Sequence, residues 1–220
     1  MTQLLPTAPP RLPNAPAQYE PRFHDQHSDV LRLYFSQMSS TVGTVIGQRG
    51  GKWLQFPYAA IQRTTDKTFV SNTATQITFN QNDYLSGCTN DGTDGIVVAQ
   101  SGIYNYQFSI QFANTDSQAH SAWVWLRKNG VDLAGTGSKY DVPSKHGTSD
   151  GYVIAVANFF VDLRAGDYVS LYAAVEQAYN AGTATPGVYM EAYAAQTSPF
   201  AMPAIPSVVA TLSFVSNLPT

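Results

Sequence analysis

The sequence predicts a mainly β protein: a two-sheet antiparallel sandwich preceded by an extended proline-rich arm and one short α-helix. Three observations carry this. From Trp53 onward, aromatic and β-branched residues recur with period two between Gly, Asn and Asp turn signals. About ten such segments follow one another with no helical pattern among them, which points to two packed sheets. The one convincing helical period lies ahead of them, at 22–46.

The arm comprises residues 1–21 and holds six of the 13 prolines. Proline fixes φ and removes an amide donor, so this stretch is extended and stays out of a sheet interior. Leu4, Leu5, Leu12 and Tyr19 alternate with the prolines. They are docking points if the arm lies on a partner, and the alternative is a loose tail. Residues 22–52 form an anchor helix and a Gly-rich hinge. Pro21 suits a first helical turn. Leu31, Phe35, Met38, Val42 and Val45 follow the 4-3-4-3 spacing of a coiled-coil seam and are the anchoring and oligomerisation candidates. Two heptads do not hold a coiled coil alone, so this helix either joins copies of itself or packs on its own β domain. Gly43, Gly47, Gly50 and Gly51 are expected to end it.

Residues 53–220 are the β domain, with strands expected near 54–62, 68–71, 75–80, 95–100, 103–113, 121–128, 131–136, 152–163, 167–175, 187–195 and 206–215. In the clearest of these, Tyr104, Tyr106, Phe108, Ile110 and Phe112 share one face, and Asn105, Gln107, Ser109 and Gln111 the other. Asn129-Gly130 is a two-residue hairpin signal. Residues 152–163 are almost unbroken in apolarity, as in a strand covered on both faces, the outer one by another subunit. Phe159, Phe160 and Trp123 or Trp125 are expected in the core.

Composition narrows the function. The chain is 44% hydrophobic but only 12% charged, about half the usual share, with net charge −3 and no basic block. Nucleic acid is not an expected partner. No apolar run approaches the ~20 residues that span a bilayer, so membrane insertion is not expected. The single cysteine, Cys88, excludes an internal disulfide and suits a reducing cytoplasm.

No catalytic constellation is evident, and a non-enzymatic role without cofactor or metal is expected. His24 and His27 share a helix face but lack a third ligand; His120 and His146 fall in polar loops. The glutamates are Glu20, Glu176 and Glu191; the last two form at best a weak acid/base pair. Cys88 has no basic neighbour in sequence to activate it. The loop Asn90-Asp91-Gly92-Thr93-Asp94-Gly95 offers hard oxygen ligands, although a glycine-rich turn explains the same residues. The tyrosines are more telling. Tyr152, Tyr168, Tyr172, Tyr189 and Tyr193 exceed what a core needs and are candidates for a trimer interface, or for stacking on a glycan.

Four stretches in order resemble the C1q/TNF-like jelly roll. They are Ser101 to Asp116, Val124 to Gly130 with its hairpin, Val161 to Leu171 with its Gly166-Asp167 step, and the general strand order over 53–215. The Phe-x-Gly-Phe pattern usual in the last strand is replaced by Pro203 to Ala210. The proline-rich start, Leu31-Arg32-Leu33-Tyr34-Phe35, Phe56 to Gln62 and the closing Ala194 to Pro199 together resemble small virion proteins of tailed bacteriophages. That resemblance implies a homotrimeric appendage or decoration protein of head or tail. Other virion proteins would be its partners, and it would be assembled in the host bacterial cytoplasm and located in the virion. A glycan-recognising tip of a tail fibre, touching a host surface glycan through loops such as 136–151, is the alternative.

Overall fold

The computed structural model describes residues 10–12, 14, 18, 20–46, 56–90, 92 and 95–218, the side chains of 43–46 apart. The chain divides into two units, Met1–Gln55 and Phe56–Thr220. In the first, α1 runs from Pro21 to Ile46. The Phe23 amide donates to Glu20 O (3.1 Å), closing the first turn behind Pro21. The helix continues through Gly43, contrary to expectation: one glycine costs about 1 kcal/mol against alanine and does not by itself stop a helix. Gly47, Gly50, Gly51, Leu4, Leu5, Tyr19 and Trp53 lie outside the described residues.

The second unit holds β1 (Tyr58–Arg63), β2 (Thr75–Ile77), β3 (Gln81–Ser86), β4 (Cys88–Asn90), β5 (Ile96–Val98), β6 (Gly102–Asn114), β7 (His120–Lys128), β8 (Val131–Asp132), β9 (Ser138–Val142), β10 (Gly151–Leu163), β11 (Tyr168–Val175), β12 (Val188–Met190) and β13 (Val208–Ser216). Sheet 1 has the order β10-β6-β13-β1-β3, with β12 beside the end of β6. Sheet 2 has the order β4-β5-β11-β7-β8, with β9 also on β7 and β2 also on β11. Every pairing between these strands is antiparallel. The chain changes sheet at β1–β2, β2–β3, β3–β4, β5–β6, β6–β7, β9–β10, β10–β11 and β11–β12, so most sequence neighbours face each other rather than pair. That wrapping is an antiparallel jelly roll.

The alternation that predicted β6 is realised. Tyr104, Tyr106, Phe108, Ile110 and Phe112 are all buried between the sheets. Ala122, Val124 and Leu126 of β7 and Val169, Leu171, Ala173 and Val175 of β11 meet them from the other side. Asn129 and Gly130 form the β7–β8 turn with φ of 50° and 81°, as a two-residue hairpin requires. Cys88 is buried in the core, and desolvation pushes its thiol up to about 11.

Several expectations are corrected. Phe160, expected in the core, is 69% exposed on the outer row of β10, while Ala155, Val161 and Leu163 point inward and Phe159 packs half-buried against the core. Trp123 and Trp125 point outward, because Ala122, Val124 and Leu126 hold the inner row of β7. Residues 68–71 form no strand; Lys67 makes one bridge to Met190. The strand expected at 131–136 stops at Asp132, where Thr136 Oγ1 donates to Leu133 O (2.8 Å) and accepts from the Leu126 amide (3.1 Å). β3, β4 and β9 were not anticipated.

A polar joint closes one end of β6. Asn114 is fully buried. Its Nδ2 donates to Gln118 O (2.8 Å), Pro143 O (3.0 Å) and Val142 O (3.4 Å), and its Oδ1 accepts from the Asp116 amide (2.9 Å). Asp116 in turn bonds His120 Nε2 (2.9 Å). The hydrogen bond from His120 is the main reason its carboxyl lies below the usual range. Burial opposes this in part, and the Gln118 and Ser117 amides assist it. A carboxyl depressed in the folded state stabilises above its unfolded value of about 3.9 and loses that contribution as pH falls through the folded value. Urea midpoints should therefore fall as pH drops below about 4, and Asp116→Asn should flatten that slope. An unchanged slope would remove Asp116 from the account of acid stability.

Candidate functional site

The residues considered for chemistry do not converge. Glu176 follows β11 and accepts from the Ser121 amide (3.1 Å) on sheet 2. Glu191 follows β12 on sheet 1 and accepts from the hydroxyls of Tyr189 (2.8 Å) and Tyr193 (2.6 Å). His24 and His27 lie on α1 with Phe23, whose ring is 5.4 and 6.0 Å from theirs. His120 is engaged by Asp116, and His146 lies in an exposed loop. In the loop 90–95, Asp91, Thr93 and Asp94 lie outside the described residues. Asn90 Oδ1 accepts the Gly92 amide (3.1 Å). No group of three or more His, Cys, Asp or Glu side chains suited to a metal occurs among the described residues.

The outer face of sheet 1 is the more informative surface. Antiparallel register puts directly paired residues on the same side. Phe160 pairs with Asn105, Asn158 with Gln107, Val156 with Ser109 and Ile154 with Gln111. β13 adds Ser213, Thr211 and Val209 to the first three of these rows, and β1 adds Tyr58, Ala60 and Gln62. This array carries no charged side chain. Its β6 part is amide and hydroxyl, and its β10 part is apolar: Ile154 (61% exposed), Val156 (60%) and Phe160. Asn105 Oδ1 is buried beside Phe160 and has no hydrogen-bond partner among the described residues. Among the described strands β10 pairs only with β6, so its other edge is open apart from two side-chain bonds: the Tyr140 hydroxyl donates to Val156 O (2.9 Å) and Lys128 Nζ to Asp162 O (2.7 Å).

The structure parts the five tyrosines expected at one interface. Tyr152, Tyr189 and Tyr193 gather at one end of sheet 1, where the hydroxyls of Tyr193 and Tyr152 share a hydrogen bond (2.9 Å) and Glu191 accepts from Tyr189 and Tyr193. Burial, then the bonds to Glu191, raise the phenols of Tyr189 and Tyr193, which stay protonated. Tyr168 and Tyr172 lie on sheet 2, the opposite side of the sandwich. There Tyr172 stands between Trp125 (ring centroids 6.1 Å) and the Arg127 guanidinium (3.9 Å from its centroid).

On α1, Phe35 (55% exposed), Met38 (37%) and Val42 (47%) lie open to solvent, and Leu31 is half-buried. The Val45 side chain lies outside the described residues. Sequence reasoning missed the outer row of β10 because both of its rows are apolar. It also took the Trp pair for core, although the alternation with Ala122, Val124 and Leu126 was there to be read.

No protein-family model and no curated protein matches the chain. Among solved structures it is similar to Eiger TNF from S. frugiperda, at 12% identity over 75% of this chain and 96% of that one, TM-score 0.46. It is also similar to murine APRIL, at 13% identity over 73% and 100%, TM-score 0.45. The globular domain of zebrafish complement 1qA protein is a third, at 11% identity over 74% and 99%, TM-score 0.42.

Proposed function

We propose that this chain is a non-enzymatic structural protein whose jelly roll self-associates as a homotrimer through the outer face of sheet 1. The arm and helix would attach it to a larger assembly. The observation that carries this is the uncharged array over β10, β6, β13 and β1 with Ile154, Val156 and Phe160 exposed along its border. A long, open, apolar edge strand is a liability in a monomer and an asset in an interface. A charge-free surface of amides and hydroxyls desolvates at far lower cost than a charged one.

The larger assembly we propose is a bacteriophage particle, on head or tail. Support for this comes from the order of arm, helix and jelly roll and from the resemblance of the terminal stretches. In that setting the seam Leu31, Phe35, Met38 and Val42 serves as the anchor, joining helices of the trimer or meeting other virion proteins. A second reading, the glycan-recognising tip of a tail fibre, is favoured by the exposed Trp123 on sheet 2.

Light scattering tests the self-association. The full chain should run as a trimer, and Ile154→Asp with Val156→Asp should run as a folded monomer. Two charges buried opposite apolar rows should weaken association by about 3 kcal/mol or more. A monomeric parent, or a variant that stays trimeric, overturns the reading. For the particle itself, an antibody to the chain should label purified virions in electron micrographs, and unlabelled virions would remove the phage assignment.

A further inference from the structure

We propose that the outer face of sheet 2, centred on Trp123, binds a neutral oligosaccharide. The inference gives the glycan reading a site, and it stands on side chains that the self-association face does not use.

Trp123 and Trp125 are two apart on β7 and share its outer face. Their surroundings differ. Trp125 is opposite Tyr172 and donates from Nε1 to Asp132 Oδ1 (2.6 Å). Arg127 Nε donates to the same oxygen and its guanidinium lies over Tyr172. The series Trp125, Tyr172, Arg127 is therefore filled and held. Trp123 is opposite Ala174 on β11 and Lys139 on β9. A methyl group where the neighbouring row has a phenol leaves a step beside the indole, and Trp123 is 36% exposed.

The rim of this step is polar and already ordered. Ser121, next in the outer row of β7, donates from Oγ to Asp141 Oδ1 (3.2 Å), and its amide donates to Glu176. Lys139 pairs with the same Asp141 oxygen (3.3 Å). Gln76 accepts from the Tyr172 hydroxyl (3.3 Å) on the far side.

Charge and polarity choose the occupant. Arg127 is neutralised by Asp132 and Lys139 by Asp141, so the face has no field to hold a polyanion. An apolar protein surface would strip water from the carboxylates and the ammonium without replacing their hydrogen bonds. A sugar ring does both jobs: its C–H face lies on an indole while hydroxyls at its rim exchange hydrogen bonds with carboxylate, ammonium and hydroxyl groups. Because the face is on the opposite side of the sandwich from β10, it stays open when sheet 1 is covered. Three weak sites on one particle appendage would then act together.

The test is calorimetry of the full chain with cellohexaose, maltohexaose and chitohexaose in turn. Saturable binding to at least one is expected, with Kd near about 1 mM per site. Trp123→Ala should weaken it about tenfold, and Trp123→Phe should retain part of the affinity. The Val156→Asp variant should bind as the parent does, site for site. No saturable binding to any of the three up to about 10 mM overturns the proposal. Binding undiminished in Trp123→Ala overturns this site while leaving the glycan reading in place. A change of oligomeric mass in Trp123→Ala would identify the face as a protein contact and overturn it as well.

Discussion

Gly151→Ala should destabilise the β domain by about 3 kcal/mol or more, seen as a large fall in the urea midpoint. Gly151 opens β10 opposite Asn114 in the register. A β-carbon there would lie 2.0 Å from Pro143 O and 2.7 Å from its carbonyl carbon. Both are backbone atoms, so no side chain can swing aside. The segment after β9 must move away, and with it Val142, which is fully buried. Gly137→Ala is the matched control, since an added β-carbon there meets nothing within 4 Å. Its midpoint should stay within about 0.5 kcal/mol of the parent. Equal effects at the two positions would mean that the close approach at Gly151 is not what holds this corner.

Asn114→Ala should also be severe, at about 3 kcal/mol. It removes a side chain that donates to three backbone carbonyls and accepts from one amide in a buried setting. A neutral hydrogen bond contributes about 1 kcal/mol, but each buried group left unpaired costs about 1–3 kcal/mol. Asn114→Asp retains the shape and loses the donor, so it should not rescue stability at neutral pH. Rescue by Asp would show that only volume matters at this position. Asn114 and Gly151 grip the same Pro143 carbonyl from two sides, so their effects should not add.

What the sequence made legible follows from periodicity. β6 could be read because its two rows differ in kind: Tyr104 to Phe112 are apolar and Asn105 to Gln111 polar. The helix could be read because its seam recurs over three turns, and its bounds lie within one residue of expectation. β10 could be located but not oriented, since Val153, Ala155, Ala157 and Phe159 compete with Tyr152, Ile154, Val156 and Phe160 for the inner face. Only the register with β6 decides between them. β9, Ser-Lys-Tyr-Asp-Val, escaped because edge strands carry charge where inner strands carry apolar residues.

The candidate surfaces were less legible than the fold, for a related reason. Residues meet on a sheet face by strand order, which is not a local property. Tyr152 and Tyr172 sit on strands that follow one another in sequence, yet a jelly roll sends those strands to opposite sheets. Trp123 and Ala174 are far apart in the chain, and the step between them exists only because β7 pairs with β11.

The place of β13 between β6 and β1 sets the timing of events in a newly made chain. β1 bonds only β13 and β3, and β13 emerges from the ribosome after every other strand. Until it arrives, β1 and β6 border an empty slot whose closure joins residues such as Tyr58 and Ser213 from opposite ends of the domain. Contacts of such long separation form slowly, whereas a helix forms within microseconds of leaving the tunnel. The outer array of sheet 1 includes Val209, Thr211 and Ser213, so it does not exist before that last strand is seated. If copies recognise one another through that array, as proposed, unfinished chains lack it, and association through sheet 1 waits for the last strand.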